Sequence, residues 1–238
     1  MSINNKKIKK AVILAGGLNT RLYPWSKVIP KAILPLGRKV AIQYLIEECI
    51  SSGIEEIYVV VRERNSIIKK YFTPDIGLNG LLKKCDKTKA LKKIESIESL
   101  SKYLKFVVQS DPRGEAHALK VAKKRFNNEP FAVLLGDVVF CDSKVPVIKQ
   151  LMSLPYDDKC MILGQGRMII TKKGSEVFKK RYKQKEKIDL RVMDVFRPEE
   201  ITFCEVGAKR VGVGTFEKYI NSCSVCINLL KDDVKRNL

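Results

Sequence analysis

A short apolar run followed by a pair of glycines constrains the fold of this chain more than any other part of its sequence. Residues 11–14 read Ala-Val-Ile-Leu, which is the pattern of a strand buried on both faces of a parallel sheet. Gly16 and Gly17 come directly afterwards and let the backbone turn tightly, with its amide groups free to approach an anion. The sequence therefore predicts an anion-binding turn at the end of a buried strand.

Two basic residues follow the glycine turn at short intervals. Arg21 offers a planar fork of donors, and Lys31, within the element Pro-Lys-Ala-Ile-Leu-Pro, offers a mobile point charge. A polyphosphate lying along this loop would be neutralised from several directions. The strand, the glycines, the arginine and the lysine element in this order indicate phosphate binding more strongly than a glycine pair alone.

Strand and helix patterns alternate along the rest of the chain. Apolar residues at helical spacing and a closing Gly53 predict a helix at 40–52 between strands at 11–15 and 56–61. A right-handed crossover would make these two strands parallel, with a ligand at their carboxyl ends. The further expected elements are a helix at 65–72, strands at 105–109 and 131–136 around a helix at 115–126, strands at 160–164 and 167–171, a helix at 174–184, strands near 201–205 and a closing helix from about Thr215.

Residues 73–104 carry a weaker pattern. Gly77, Asn79 and Gly80 indicate a turn, and the Lys-rich stretch after them has only weak helical periodicity. We interpret this part of the chain as an exposed insertion.

Length and composition predict one globular domain, residues 1–238, in the cytoplasm. The 238 residues are 45% hydrophobic and 8% aromatic, which is typical of folded proteins. No apolar stretch reaches the length of a membrane span, and the polar N-terminus lacks the apolar core of a signal peptide. We therefore expect no membrane partner.

The chain is strongly basic, which makes nucleic acid an alternative partner. Lys and Arg number 46 against 26 Asp and Glu, a formal charge of +20 that attracts any polyanion. The basic residues are nevertheless spread along the whole chain, without a recognisable binding module. We favour a lysine-rich solvated surface and do not expect nucleic acid binding.

Seven cysteines, an odd number without a framework spacing, suit a reducing compartment. Cys223 and Cys226 form one Cys-x-x-Cys, but zinc would need a second pair or histidines, and His117 is the only histidine. The helical spacing predicts instead that one stripe of the closing helix faces the core. Its members are Phe216, Ile220, Cys223, Ile227 and Leu230.

Asp137 is the candidate metal ligand. It comes directly after the apolar run 132–135, at the carboxyl end of a predicted central strand, where open α/β sheets gather ligands. Mg²⁺ prefers one or two carboxylates together with phosphate oxygens and water. The alternative is a solvated aspartate that caps the next turn.

These motifs resemble the sugar-phosphate nucleotidyltransferases, whose N-terminal signature is an apolar strand, Gly-x-Gly-Thr-Arg and then Pro-Lys-x-x-Leu-Pro. Residues 42–61 look most like the enzymes that make UDP-glucose from UTP and glucose 1-phosphate. The resemblance is dense over 10–72, returns at 107–140 and is patchy afterwards. It implies an α/β fold with a Rossmann-like, mixed, mostly parallel sheet and helices on both faces. The nucleotide-binding part would span about 8–140, and a reduced acceptor-side part about 141–238.

The resemblance also implies a reaction and its residues. A sugar 1-phosphate oxygen would attack the α-phosphorus of UTP, and pyrophosphate would leave, which needs positioning and charge neutralisation rather than a covalent nucleophile. UTP and the sugar 1-phosphate are thus the expected partners, Mg²⁺ is the expected cofactor, and a homo-oligomer is compatible with the sequence. The implied site comprises Arg21 and Lys31 as catalytic residues, Leu14, Ala15, Gly16, Gly17, Gln109 and Gly114 as nucleotide-binding residues, and Asp137 as metal ligand. For His117, on the helix after Gln109, we expect packing or capping rather than proton transfer.

Three departures from the family pattern raise a second hypothesis. Asn19 replaces the usual glycine before Thr-Arg, although Asn tolerates left-handed backbone. No Glu-Lys-Pro lies between Asp137 and the later strand at Gly166-Arg167-Met168. In the family, the lysine of that motif normally binds the sugar phosphate. Gly212 occupies the position of a second metal-binding aspartate, unless Glu205 or Glu217 is the true counterpart. The alternative to an active enzyme is a catalytically impaired homologue that binds nucleotide in a regulatory or scaffold role.

Overall fold

The computed structural model describes residues 8–63, 66–125, 128–141, 143–155, 159–183 and 188–236. Its strands are β1 (Lys10–Leu14), β2 (Pro35–Leu36), β3 (Lys39–Val40), β4 (Glu56–Val61), β5 (Leu104–Val108), β6 (Phe131–Leu135), β7 (Val138–Cys141), β8 (Met161–Gly164), β9 (Arg167–Ile170), β10 (Ile201–Phe203) and β11 (Lys209–Gly212). Its α-helices are α1 (Ala41–Ser51), α2 (Ile67–Phe72), α3 (Ile76–Lys84), α4 (Thr88–Glu98), α5 (Glu115–Lys123), α6 (Val147–Met152), α7 (Lys172–Tyr182) and α8 (Phe216–Arg236).

Seven strands form the central sheet in the order β10-β8-β9-β6-β1-β4-β5. The strand β1 lies in the middle and is parallel to both β4 and β6, and β5 is parallel to β4. The strand β9 is antiparallel to β6 and β8, and β10 is parallel to β8. The sheet is therefore mixed and mostly parallel, as predicted.

Helices cover both faces of this sheet because alternate residues of its strands point to opposite sides. Ala11 and Ile13 of β1 belong to one buried cluster, which includes side chains of α1, α2 and α6. Val12 and Leu14 belong to a second buried cluster, which includes side chains of α5 and α7. The predicted arrangement of helices on both faces is confirmed.

The sheet contains strands from both halves of the predicted division, since β1, β4, β5 and β6 lie before residue 141 and β8, β9 and β10 after it. The division into a nucleotide part and an acceptor part stays a prediction. Within the described ranges, every helix is too short or too polar to cross a bilayer.

An antiparallel pair, β7 and β11, lies beside the main sheet and was missing from the predicted elements. Val139 pairs with Val211, and the Val213 amide donates to the carbonyl oxygen of Asp137 at 2.9 Å. Both strands have four residues, too short for a clear alternating pattern. The pairing of these two strands places residues 212–214 next to Asp137.

The prediction of a turn at Gly77, Asn79 and Gly80 is wrong, because all three residues lie within α3. The Asp75 carboxylate accepts from the Leu78 amide at 2.9 Å and so caps this helix. The Glu98 carboxylate of α4 accepts from the Asn79 side chain at 2.8 Å. These contacts outweigh the low helix propensity of glycine.

The predicted core stripe of α8 is wrong in part. Phe216, Ile220 and Ile227 are about half exposed, whereas Ser222 and Cys226 are buried. Leu230 has a side chain outside the described set. The buried face is displaced by about one residue from the predicted one, and α8 packs against β11 and β2. The thiols of Cys226 and Cys141 lie 3.8 Å apart, and all seven cysteines are free.

We expect the ion pair between Arg181 and Glu200 to make stability depend on pH. The Arg181 Nη2 group donates to Glu200 Oε1 at 2.8 Å, and this hydrogen bond is the main cause that lowers the pKa of Glu200 from 4.5 to about 2. A carboxyl group whose pKa is lowered on folding stabilises the fold at any pH above its ordinary pKa of 4.5. This stabilisation is lost as the pH falls from 4.5 towards 2. The free energy of unfolding of Glu200→Gln should therefore be about 1 kcal/mol below that of the wild type at pH 7 and close to it at pH 2.

Urea denaturation of the wild type and of Glu200→Gln between pH 2 and 7 measures this difference. The exposed neighbour provides the control, and Glu199→Gln should follow the wild type across the range. A stability difference between Glu200→Gln and the wild type that is the same at every pH would contradict the role of this ion pair.

Candidate functional site

A cleft of about 460 Å³ opens at the carboxyl ends of β1 and β6. Its lining includes eight of the nine predicted site residues, namely Leu14, Gly16, Gly17, Arg21, Lys31, Gln109, Gly114 and Asp137. The ninth, Ala15, lies buried beneath the loop, where its amide donates to the Val60 carbonyl oxygen at 3.0 Å. Segments distant in sequence thus meet at the edge where the sequence predicted a ligand.

The glycine loop runs close to other groups at the back of this cleft. A Cβ on Gly16 would lie 3.1 Å from Gln109 Oε1, so only glycine lets the Gln109 amide approach so closely. Asn19 adopts the expected left-handed conformation, with φ 59° and ψ 31°. The Ser26 hydroxyl donates to the Asn19 carbonyl oxygen at 2.7 Å and holds the end of the loop in place.

Lys31 and Asp137 form an ion pair within the cleft, with 2.8 Å between Nζ and Oδ2. Lys31 begins a single helical turn after Pro30, and Asp137 follows β6 after one glycine. Burial alone would raise the pKa of Asp137, but the ammonium of Lys31 and the guanidinium of Arg21 outweigh burial and leave this pKa below its ordinary value. Asp137 is therefore a carboxylate at neutral pH, and two cations stand beside it.

The Gln109 side chain is buried and held by two neighbours. Its Nε2 lies 2.9 Å from His117 Nδ1 and 3.3 Å from the Gly114 carbonyl oxygen. Burial and then the charge of Arg113 lower the pKa of His117, and Arg113 Nη2 lies 3.4 Å from His117 Nε2. The Gln109 amide is the donor to Nδ1 when the neutral ring carries its proton on Nε2. This arrangement leaves Oε1 as the atom that Gln109 turns towards the glycine loop. The packing role expected for His117 agrees with these contacts.

Gly114 begins α5 with φ 92°, a conformation that favours glycine. A Cβ there would lie 2.7 Å from the Asp189 Cα atom, so the segment 188–190 closes directly over this position. Glu115 comes next and also lines the cleft. Burial, together with the charge of Asp137, raises the pKa of Glu115, although its carboxylate accepts a hydrogen bond from the Val192 amide.

Residue 212 lies beside the backbone of Asp137, and its match to a second metal-binding position stays a prediction. A Cβ on Gly212 would be 3.4 Å from the Asp137 carbonyl oxygen, and one on Gly214 would be 3.1 Å from Oδ2. Glu205 lines a different cavity, and Glu217 lies at the start of α8. In the described ranges, no three His, Cys, Asp or Glu side chains cluster as metal ligands would.

A second cavity of about 720 Å³ adjoins the cleft, and both are lined by Glu115 and Leu135. Gln165, Glu205 and two arginines, Arg191 and Arg210, contribute its polar lining. Its apolar lining includes Leu163, Met168 and Phe203. The two cavities are therefore direct neighbours.

A comparison with protein families matches residues 10–155 to the family described as nucleotidyl transferase. This match covers more than half of the 238 residues. The chain belongs to the nucleotidyl transferase family. The family resemblance inferred from the sequence motifs is thereby confirmed.

Relatives of this nucleotidyl transferase include uridylyltransferases from several bacteria. It is 43% identical over 159 residues to the UTP–glucose-1-phosphate uridylyltransferase of Mycoplasma genitalium, covering 66% of this chain and 53% of that protein. It is 40% identical over 152 residues to the UTP–glucose-1-phosphate uridylyltransferase YngB of Bacillus subtilis, covering 64% of this chain and 50% of that protein. The chain thus spans about half the length of the curated relatives it matches.

Solved structures with the same fold include UDP-glucose pyrophosphorylases. One complexed with UDP-glucose matches with a TM-score of 0.76 and 25% identity, over 93% of this chain and 99% of that one. An apo form matches with a TM-score of 0.78 and 25% identity, over 97% of this chain and all of that one. These matches confirm the predicted fold class.

Sequence reasoning missed several residues that line the two cavities. Glu115 follows Gly114, which was among the predicted site residues. Its position at the start of α5 is the one local signal that could have identified it. Arg191 and Arg210 lie in segments whose patterns were short and mixed. The sequence carried no sign that these residues share a cavity, because the segments come together only in the folded chain.

Proposed function

We propose that this nucleotidyl transferase joins UTP to a sugar 1-phosphate, with glucose 1-phosphate as the expected acceptor, and releases pyrophosphate. One observation carries the proposal. The glycine loop, Lys31, Asp137 and Gln109 converge on one cleft, and a second cavity of about 720 Å³ adjoins it at Glu115 and Leu135. The names of the uridylyltransferase relatives support the choice of UTP and glucose 1-phosphate.

Recognition of the base is assigned to Gln109. The hydrogens on its Nε2 face Gly114 and His117, so Oε1 is the atom available to a base. An acceptor oxygen suits the N3–H donor of uracil and opposes the N3 acceptor of cytosine. We therefore expect UTP to be used at least about tenfold more efficiently than CTP.

Charge neutralisation is assigned to the loop amides, Arg21 and Lys31. The attacking phosphate oxygen and the triphosphate are both anionic, so bringing them together requires cations fixed in place before the reaction. Lys31 is held at 2.8 Å from Asp137 and can donate to a phosphate from the same position. Arg21 lines the same cleft and adds a planar donor fork.

Magnesium fits the donors present at this site. Asp137 is ionised, lies in the cleft among groups suited to phosphate, and would hold the ion together with phosphate oxygens and water. A bound Mg²⁺ would neutralise charge on the triphosphate. Location in the cytoplasm and assembly into homo-oligomers stay predictions from the sequence.

The test is to mix the purified protein with UTP, Mg²⁺ and glucose 1-phosphate and to measure pyrophosphate. We expect release that depends on all three components. No release with any of a panel of sugar 1-phosphates and nucleotides, from protein that is folded by circular dichroism, would overturn the proposal.

Gly212 favours a second candidate function, a homologue that binds UTP without turnover. The missing carboxylate would leave Mg²⁺ with fewer protein ligands beside Asp137. In that case calorimetry should detect UTP binding, and Gly212→Asp should create or raise pyrophosphate release, since a Cβ at this position meets no atom closer than 3.4 Å. Wild-type turnover above that of Gly212→Asp would exclude this candidate, and Gly207→Asp, on an exposed loop, is the matched control.

A further inference from the structure

One face of β11, on the side of Asp137, carries a glycine in place of a larger side chain. Residues alternate between faces along a strand, and Val211 and Val213 are buried on the core side. Arg210 and Gly212 therefore share the opposite face of β11. Gly214 follows two residues after the strand ends, and a Cβ there would lie 3.1 Å from Asp137 Oδ2. Because residues 212 and 214 are glycines, no side chain of this segment lies between Asp137 and Arg210.

Arg210 is the first side chain along that open face. It lines the second cavity and forms no hydrogen bond or ion pair with the residues that the structure describes. Its Cα atom lies two residues beyond Gly212, which is about 7 Å along a strand. A guanidinium without a partner in the described part of the chain, next to a cleft suited to phosphate, can bind an anion.

A second guanidinium lines the same cavity from another segment. Arg191 is held in a two-point ion pair with Asp194, at 2.8 Å from Nη2 to Oδ1 and 3.1 Å from Nε to Oδ2. This pairing fixes the orientation of Arg191 and reduces its net charge. Arg210 is thus the stronger of the two candidates for an anionic ligand.

We propose that Arg210, supported by Arg191, binds the phosphate group of the acceptor sugar phosphate. The inference rests on the proposed function, because it places the acceptor in the cavity next to the nucleotide cleft. The planar fork of arginine matches phosphate oxygens in a two-point geometry. A phosphate held there lies on the side of β11 that leads to Asp137.

The other polar groups of the cavity fit the sugar end of such a ligand. Glu115 and Glu205 line the same space, and carboxylates accept hydrogen bonds from hydroxyl groups. Two carboxylates would oppose a ligand that is anionic throughout. A molecule with one phosphate and several hydroxyls matches both kinds of lining group, which favours a sugar phosphate over a second nucleotide.

Binding of glucose 1-phosphate to protein saturated with Mg²⁺ and α,β-methylene-UTP, measured by calorimetry, tests the inference without turnover. We expect Arg210→Gln to weaken this binding about 10- to 100-fold, since a hydrogen-bonded charge pair is lost. Arg210→Lys should lose less, because the charge remains while the fork is removed. Affinity for the UTP analogue should stay within twofold in both variants.

Lys209→Gln is the matched control, because it removes a positive charge from the adjacent position, which lines neither cavity. Unchanged glucose 1-phosphate affinity in Arg210→Gln, or an equal loss in Lys209→Gln, would overturn the role of Arg210. A wild type that binds the UTP analogue but no glucose 1-phosphate would overturn this inference alone. A wild type that binds neither ligand would overturn the proposed function as well.

Discussion

Replacing Asp137 with asparagine is expected to reduce the rate of pyrophosphate release about 10²- to 10³-fold. Asp137 is the ionised carboxylate in the cleft, and asparagine keeps its shape while removing the charge that would hold Mg²⁺ and orient Lys31. The same variant should bind Mn²⁺, used as a spectroscopic probe in place of Mg²⁺, more weakly in the presence of UTP. Electron paramagnetic resonance measures that affinity separately from turnover.

The matched control for this experiment is Asp86→Asn, which removes one carboxylate from the exposed end of α3, outside the lining of the cleft. Asparagine suits the left-handed backbone of residue 86, where φ is 52°. This control should keep wild-type activity. Asp137→Asn with more than half of the wild-type rate, or with unchanged Mn²⁺ affinity, would remove Asp137 from the site.

Glu48→Gln is expected to destabilise the protein by about 3–5 kcal/mol, because it leaves a buried arginine without its counter-charge. The Arg167 side chain is fully buried, and its Nη2 lies 2.7 Å from Glu48 Oε2. Arg167 also donates to the Val138 carbonyl oxygen at 3.0 Å, and Glu48 accepts from the Ile148 amide at 3.1 Å. The pair therefore links α1 and β9 to β7 and α6.

Urea denaturation of a double-mutant cycle measures this contribution. The double variant Glu48→Leu with Arg167→Met should recover most of the lost stability, since neither charge is then left alone. Glu47→Gln, on the same helix, is the control and should cost less than about 1 kcal/mol, because its partner Lys39 is exposed. A Glu48→Gln loss no larger than this control would refute the argument.

The central sheet could be predicted because its strands carry their own signal. The β1 residues 11–14 and the β6 residues 131–134 are apolar without interruption, which indicates burial on both faces. The helix α1 has its buried residues at helical spacing, and Gly53 with φ 85° follows its end. Local patterns of this strength leave little for distant contacts to change.

Prediction failed where distant contacts outweighed the local pattern. Gly77 and Gly80 lie in a helix because the Glu98 carboxylate and the Asp75 cap hold that segment. The exposed side of α8 includes Phe216, which packs edge to face on Trp25 with 5.2 Å between ring centroids. Neither contact is visible in the residues next to the ones it affects.

The sequence by itself determined the buried parallel strands, the glycine turn and the order of the phosphate-binding residues, since each depends on neighbours along the chain. Only the tertiary structure decided which groups face one another. Lys31 meets Asp137 across 106 positions, and Glu48 meets Arg167 across 119. The antiparallel pairing of β7 with β11 brings Gly212 beside the Asp137 backbone and Arg210 to the second cavity. Such pairings are selected by the packing of the whole core, and a local pattern of residue types cannot specify them.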